Sequence, residues 1–527
     1  MAKNTGIDTM RGRPTPAVAS TEEKLQRRKL DSLKRGIHRV DEKAGMPFRI
    51  HLVGIGDAGA QVVAHVLSDL SDEMLNADGA RVTALAIDIG ESDGLKAVRE
   101  QSSRLTSERA NIEVLQLVVP KAEDLRESLT RYPDFLQLEY PLYQGTRSYE
   151  PWIDEMTAMP SSGAPIPRAI AKAIYGSAYY DGERPADAAL RRFAKSVNAT
   201  PGESLVCICF GLGGGTGSGI AVDLVRHLSN VRFGRRVLVA GIGIAPCDGD
   251  RREHKGAHLF PVMSELDCMG DEAKNEGAVR ACGDLYRNPF TAGFLLIPQQ
   301  HVWDASRDLT ATHSRIDKEL ASFITLRNGA NLWETLRLLN WVAAPSTQHS
   351  AARTSYGIRW IHMLCFTDVD DNADGKQLSI DASLPERLGL LSSYRPEFIE
   401  ARVASATDEK ASLAAKKLDA VFGPVIEPQV TGGGREGSVQ FILPQVNKAD
   451  LRLFAASRDA YDAQAADGKL LAHSWLLERG VVLCERSSTI EGMAGASLFG
   501  HNNWIAVPYA SLRGEETIEQ LAASVAA

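Results

Sequence analysis

Residues 211–219 read Gly-Leu-Gly-Gly-Gly-Thr-Gly-Ser-Gly, six glycines in nine positions. Ahead of them runs Ser-Leu-Val-Cys-Ile-Cys-Phe (204–210), apolar and rich in strand formers. Behind them runs Ile-Ala-Val-Asp-Leu-Val-Arg-His-Leu (220–228), apolar at helical spacing. Glycine at this density suits neither element, because it loses the most backbone freedom on folding and buries no side chain. It does suit a turn whose backbone brings several N–H groups up to an anion. The N-terminus of the following helix adds partial positive charge at the same place. The stretch reads as a phosphate cradle between a buried strand and a helix, since a linker seldom joins two apolar elements of opposite period.

A second glycine loop lies upstream. Phe48-Arg-Ile-His-Leu-Val (48–53) reads as a strand, Gly54-Ile-Gly56-Asp57-Ala58-Gly59-Ala60-Gln61 as a loop, and Val62 to Leu70 as a helix. Alone, Gly54-x-Gly56-x-x-Gly59 fits the dinucleotide fingerprint of dehydrogenases, and Asp88 at the end of the next strand (82–87) fits the ribose-binding position loosely. A nicotinamide-dependent oxidoreductase therefore stands as an alternative at this point. A dinucleotide fold needs only one such turn, however. Two glycine loops on parallel strands of one sheet can grip a triphosphate from two sides. Neither loop carries Gly-Lys-Ser/Thr, so backbone N–H groups, helix dipoles and a metal ion must neutralise the phosphates.

The rest of the chain frames these loops. At 527 residues it exceeds one ordinary core. Its 44% hydrophobic and 24% charged residues and mean hydropathy of −0.17 are those of a soluble globular protein. A net charge of −8 gives no reason to expect nucleic acid or an anionic membrane as a partner. No secretory signal or membrane-spanning run is visible, and seven cysteines lack a Cys-x-x-Cys pair, so a cytoplasmic location is expected. Cys207 and Cys209 share a strand, which suits packing better than metal binding; no metal site formed by side chains is expected.

Residues 1–47 form a basic, partly disordered extension with 11 Lys and Arg against 6 Asp and Glu. Within it, 21–42 reads as a helix capped by Thr21 and bearing Lys24, Leu25, Leu30 and Leu33. Strand, loop and helix then alternate from residue 48. Further apolar strands fall at 237–245 and 294–297, while 100–160 is mixed, rich in aromatics between Tyr132 and Trp152, and reads as an insertion. Strands apolar on both faces and separated by helices imply a parallel sheet covered on both sides. A long helix over about 312–327 closes at Asn328-Gly329. Beyond 341, strand-like runs at 357–366, 438–443 and 480–484, with a helix-rich stretch at 396–421, suggest a second unit.

Gly211 to Gly219 resembles the tubulin/FtsZ signature, Gly-Gly-Gly-Thr-Gly-Ser/Thr-Gly, and Leu52 to Gln61 is similar to that family's first loop. The resemblance covers roughly 48–340. It implies an α/β, Rossmann-like GTPase domain (48–310), a central helix with a catalytic-type loop (311–340) and a smaller α+β C-terminal domain (341–527). It implies GTP or GDP as ligand, with Mg2+ held through the phosphates. Gly213, Gly214, Gly215, Thr216, Gly217 and Ser218 would hold the phosphates, and Gly56, Asp57, Ala58 and Gln61 would line the other side. Asp88 matches the loop after the second strand, Arg168 the loop that senses the terminal phosphate, and Asp250 the ribose-binding acidic loop. Head-to-tail filament assembly follows from the resemblance, alongside protein partners of unknown kind.

Catalysis departs from the family pattern. Asn-x-Asp-Phe/Leu is expected after the central helix, acting on the nucleotide of a neighbouring subunit. Here the region reads Arg327-Asn-Gly-Ala-Asn331-Leu332-Trp333-Glu334. Asn331 fits, but Trp333 stands at the aspartate place and Glu334 is the nearby carboxylate. Hydrolysis is therefore expected to be slow or altered. A GTP-binding switch or scaffold that never polymerises is the alternative to a filament protein.

Overall fold

In the computed structural model the described residues are 47–336, apart from short stretches around 106–107, 144–155, 162, 252–257, 271, 298–305 and 331–335, together with the strands at 361–368, 431–432, 438–443, 481–485 and 504–508. The N-terminal extension, the 396–421 stretch, Asn331 and Glu334 lie outside them.

Six parallel strands form the body of the sheet: β1 (Ile50–Ile55), β2 (Val82–Ile89), β3 (Ala110–Leu117), β4 (Leu205–Gly211), β5 (Leu238–Ile244) and β6 (Gly293–Ile297). Their spatial order is β3-β2-β1-β4-β5-β6, every neighbouring pair parallel. The chain winds outward from β1 to β3, then returns to β4 on the other side of β1 and winds the opposite way. The order reverses between β1 and β4, the place where open α/β sheets leave a crevice at the carboxyl ends of their strands. Strands β1, β2 and β5 are buried along their whole length, as sequences apolar on both faces require.

Helices cover both faces. They are α1 (Gly56–Asp69), α2 (Asp72–Asn76), α3 (Asp93–Arg104), α4 (Ala122–Thr130), α5 (Tyr132–Glu139), α6 (Arg168–Tyr180), α7 (Pro185–Asn198), α8 (Gly215–Arg226), α9 (Leu259–Gly270), α10 (Glu272–Cys282) and α11 (Leu309–Thr325). Alternate strand residues serve opposite layers. Leu52, Ala84, Cys207 and Ile242 pack under α1, α3 and α11. Val53, Leu85, Ile208 and Val239 pack under α4 to α10. Cys207 and Cys209 are buried free thiols of β4.

Several boundaries differ from the sequence reading. The expected loop at 56–61 is already helix: β1 turns into α1 with no intervening coil. Gly56, at φ +70, makes that reversal where a side chain would be strained. The 110–117 segment is the edge strand β3, whose mixed burial and inserted Asn111 and Glu113 mask its period. The long helix ends with Asn328 and Gly329 both left-handed, the stop that those two residues signalled.

Beyond α11, β7 (Ile361–Asp368) pairs parallel with β6 and continues the same sheet. Strands β8 (Thr431–Gly432) and β9 (Ser438–Leu443) follow it antiparallel, while β10 (Val481–Glu485) and β11 (Trp504–Pro508) form a separate antiparallel pair. Among the described residues no helix is long and apolar enough to cross a membrane.

Candidate functional site

Both glycine loops open at the reversal between β1 and β4. Helix α1 begins directly after β1 and α8 three residues after β4, so two helix N-termini stand side by side at the carboxyl ends of adjacent strands. Their first turns touch: a Cβ on Gly56 would lie 3.3 Å from the Gly217 nitrogen and 3.5 Å from the Thr216 Cβ. The N-cap positions, Ile55 and Gly214, give neither helix a side-chain cap. The first-turn N–H groups of both are thus left for solvent or a ligand, and two partial positive charges converge on one spot.

The glycines make this approach possible. A Cβ on Gly59 would overlap the carbonyl oxygen of Cys209, so α1 lies almost against the backbone of β4. A Cβ on Gly215 would overlap the Ile166 carbonyl oxygen, and one on Gly219 would sit 2.7 Å from that of Arg168. Those contacts press α8 onto the entry to α6. On Gly217 a Cβ would lie 2.6 Å from the Gly211 oxygen, and on Gly213 it would lie 2.7 Å from the His254 oxygen. Gly214 is different: a Cβ there meets nothing within 4 Å. Of the six glycines in 211–219, Gly213, Gly215, Gly217 and Gly219 are thus required by packing, while a Cβ on Gly211 would make only an ordinary contact with Ala58 and Gly214 faces open space.

The side chains divide into those beside the cradle and those committed elsewhere. Asp88, at the end of β2, is buried, accepts a 2.8 Å bond from the Ile89 N–H and is bonded by the Ser92 and Thr216 hydroxyls. Burial raises its pKa to about 6 against those bonds, and the charge of Asp57 adds to the rise. Asp57, exposed in the first turn of α1, accepts 2.7 Å from the Gly94 N–H at the start of α3. Thr216 therefore ties the start of α8 to the end of β2 through Asp88. Ala58 lies against Gly211, and Gln61 is half-buried one turn into α1.

Two expected contacts are otherwise engaged. The Ser218 hydroxyl donates 2.6 Å to the Gly214 carbonyl within its own helix, as hydroxyls in helices do. The Arg168 side chain is wholly buried and ion-paired with Glu265 of α9. It does not stand at the cradle as a phosphate-sensing cation, because α6 begins at Arg168 and burial there demands a counter-charge. Its backbone, instead, is what α8 packs against.

Asp250 shapes the loop after β5. Its carboxylate accepts 2.8 Å from the Cys247 N–H, and Gln299 donates to it at 3.4 Å. His254 and, from α11, His313 stand 3.7 and 3.8 Å from it. Against the upward push of burial, these partners hold its pKa below the usual carboxylate value. His258 in the same loop donates 3.0 Å from Nδ1 to the Gly213 carbonyl, tying the loop to the cradle. These histidines escaped sequence reading, having no motif; only their spacing after the acidic loop could have signalled them.

The region after α11 lies at the other pole of the sheet. A shallow pocket there is lined by Arg49, Ile50, Glu203, Asn328 and Trp333, at the amino end of β1. Trp333 packs against the core layer under α1 and α11. With β1 about 20 Å long, these residues cannot reach a ligand held at the carboxyl pole of the same chain.

Fold and site together define a doubly wound α/β protein with two uncapped helix N-termini converging on the crevice at its switch point. Solved structures similar to the chain include CetZ from Methanosaeta thermophila (13% identity, 82% of this chain and 96% of that one, TM-score 0.40). CetZ2 from Haloferax volcanii, solved as a GTPγS-bound protofilament, has 13% identity over 79% of this chain and 99% of its own, with a TM-score of 0.41. TubZ from Bacillus thuringiensis serovar israelensis, solved as a GTPγS-form protofilament, has 13% identity over 81% and 96%, with a TM-score of 0.38. These are tubulin/FtsZ-family proteins. No protein-family model and no curated protein matches the chain.

Proposed function

We propose that the chain is a tubulin/FtsZ-like GTP-binding protein that assembles head to tail. The carrying observation is the pair of uncapped helix N-termini, α1 and α8, abutting at the switch point with Gly56 against Thr216 and Gly217. One N-terminus suffices for a pyrophosphate; two that converge suit a longer polyphosphate. Guanine as the base rests on the resemblance of Gly211–Gly219 to the family signature. Mg2+ would be held by the phosphates, with Asp57 and Asp88 the carboxylates beside it, and Asp250 is the candidate for the ribose. The expected location is the cytoplasm.

Self-assembly is supported by the separation of poles. Whatever Asn328, Gly329 and Trp333 contribute to a bound nucleotide, from the amino end of β1 they can contribute only to that of another copy. A head-to-tail contact that does not close generates a filament. Because Trp333 is a packed indole and cannot orient water as a carboxylate does, hydrolysis is slow or altered, with Glu334 and Asn331 the candidates to support it. The same observation favours a second reading, a GTP-binding switch or scaffold without polymerisation.

Extraction of the nucleotide from purified protein separates these from an oxidoreductase: GDP or GTP supports the proposal, NAD refutes it. Light scattering with GTP or a slow-hydrolysing analogue then distinguishes filament from switch. A signal that stays at the monomer value throughout would remove the filament reading and leave the switch.

A further inference from the structure

Titratable groups collect where the 246–258 loop and the start of α11 border the cradle. The Asp250 carboxylate uses one oxygen, Oδ2, to accept from the Cys247 N–H and from Gln299. The other, Oδ1, faces two imidazoles, His254 Nδ1 at 3.7 Å and His313 Nε2 at 3.8 Å. His254 also touches the cradle: a Cβ on Gly213 would lie 3.0 Å from the His254 Cβ. Its ring stacks on that of His258, with centroids 6.2 Å apart and planes at 29°, and His258 holds the Gly213 carbonyl. The His254 side chain is 27% exposed, so solvent protons reach it, and its Nε2 forms no bond among the described residues.

We propose, on the reading of the cradle as a polyphosphate site, that His254 makes ligand binding proton-linked: charged, it ties Asp250 to a phosphate oxygen, and neutral, it lets go. A neutral imidazole donates from one nitrogen, whereas the imidazolium donates from both. With its single proton on Nδ1 towards Asp250, neutral His254 presents a lone pair at Nε2, which repels a phosphate oxygen. The second proton turns Nε2 into a charge-assisted donor. Histidine is the side chain that changes charge between about pH 5 and 8. Arg168, which would have been a permanent cation, is committed to Glu265. The surrounding groups act in the same direction or not at all. Arg251, exposed in the same loop, gives a constant attraction. Cys247 stays neutral, burial having raised its thiol to about 11. Asp88, raised to about 6, and Asp317, raised to about 8, gain negative charge as pH rises, and the charge of Asp57 acts on both. These carboxylates, and loss of any charge on His258 and His313, also oppose phosphate at high pH. Affinity therefore falls with rising pH, and the share of His254 is read by replacing it.

The test titrates the full chain with a fluorescent GDP analogue, followed by anisotropy, in steps from about pH 5.5 to about pH 8. Over that range wild-type affinity should fall by about tenfold more than that of His254→Gln, which cannot take up the proton. His254→Arg, charged throughout, should lose the same extra dependence while binding more tightly than His254→Gln at every pH. Calorimetry in two buffers of different ionisation enthalpy should show the wild type taking up protons on binding in excess of either variant. The phosphate of the ligand, Asp57, Asp88, Asp317, His258 and His313 titrate in all three proteins, so the difference isolates His254. Parallel pH profiles or equal proton uptake overturn the proposal and leave the nucleotide reading standing. No binding by any of the three at any pH, with circular dichroism showing them folded, overturns that reading and this proposal with it.

Discussion

Adding one methyl group at each of two adjacent glycines separates packing from binding in the cradle. At Gly215 an added Cβ overlaps the Ile166 carbonyl oxygen and lies 3.2 Å from the Arg168 nitrogen. Both are backbone atoms, so no side chain can swing aside; α8 must move off α6. Overpacking of this kind costs about 1–3 kcal/mol, and the rigid neighbour places Gly215→Ala at the upper end. Gly214 has φ −73 and ψ 141, ordinary extended backbone, and its Cβ direction is open. Gly214→Ala gains about 0.4–1 kcal/mol from a stiffer unfolded chain and loses a similar amount because alanine is a poor N-cap. The two terms cancel to within about 1 kcal/mol, so the variants should differ by about 2–3 kcal/mol in urea unfolding followed by tryptophan fluorescence. Gly214→Glu should likewise fold. It places a carboxylate in front of the α8 N–H groups, and affinity for a fluorescent GTP analogue should fall by at least about tenfold, equivalent to about 1.4 kcal/mol. If Gly215→Ala were as stable as the wild type, the close approach of α8 to Ile166 would be wrong. Undiminished binding by a folded Gly214→Glu would mean that the phosphates lie elsewhere.

Three further substitutions probe buried charge. Asp317 on α11 is raised to about 8 by burial, with Asp57 adding to it, so the folded state holds a proton that the unfolded chain releases near pH 4. Wild-type stability is thus penalised increasingly as pH rises from about 4 to 8; Asp317→Asn should gain on it by a few kcal/mol across that window, and a gap between their urea midpoints that stays constant with pH would refute this. Glu139, despite its burial, is held well below the ordinary carboxylate range by Arg226 and His227, with the Arg226 guanidinium at 2.8 Å. Its stabilisation is present at neutral pH and lost as pH falls below about 4.5. Glu139→Gln should therefore cost up to about 3–5 kcal/mol at pH 7 and progressively less in acid, as thermal unfolding across pH would reveal. Glu265→Gln leaves Arg168 buried beside a neutral partner and should destabilise by about 3–5 kcal/mol while the folded fraction keeps its nucleotide affinity; a loss of affinity without loss of stability would return Arg168 to the binding site.

What could be read from the sequence was the part whose physics is local. Runs such as Val82–Ile87 and Val237–Ala245 are apolar on both faces and can be little but inner strands of a parallel sheet. Gly211–Gly219 likewise announces a backbone-lined turn between its strand and helix. The reading failed where long-range packing decides. Ala110–Leu117 became an edge strand because β2 offers it a free side, which no periodicity in Asn111-Ile-Glu113-Val could announce. Arg168 looked like a cation at a loop mouth, yet its fate was set by Glu265, 97 residues away. His254 and His313 meet at Asp250 only because α11 returns over the sheet.

The glycines of the cradle themselves separate two demands that sequence runs together. Gly59, Gly215 and Gly219 are small because backbone from another element occupies the place of a side chain. Such glycines would be needed to pack α1 and α8 at the switch point even in a protein that bound nothing. Gly214 meets no such neighbour, and glycine there is not required by the fold. The N–H groups behind it carry no side-chain cap, and the space in front of it is open. A position that could accept alanine or a capping serine for stability, yet holds glycine before a row of uncapped donors, is what the proposed ligand, approaching the backbone closely, would require. Gly214 is therefore the glycine that the proposed ligand would explain, whereas Gly213, Gly215, Gly217 and Gly219 serve the way the fold brings two helix N-termini together.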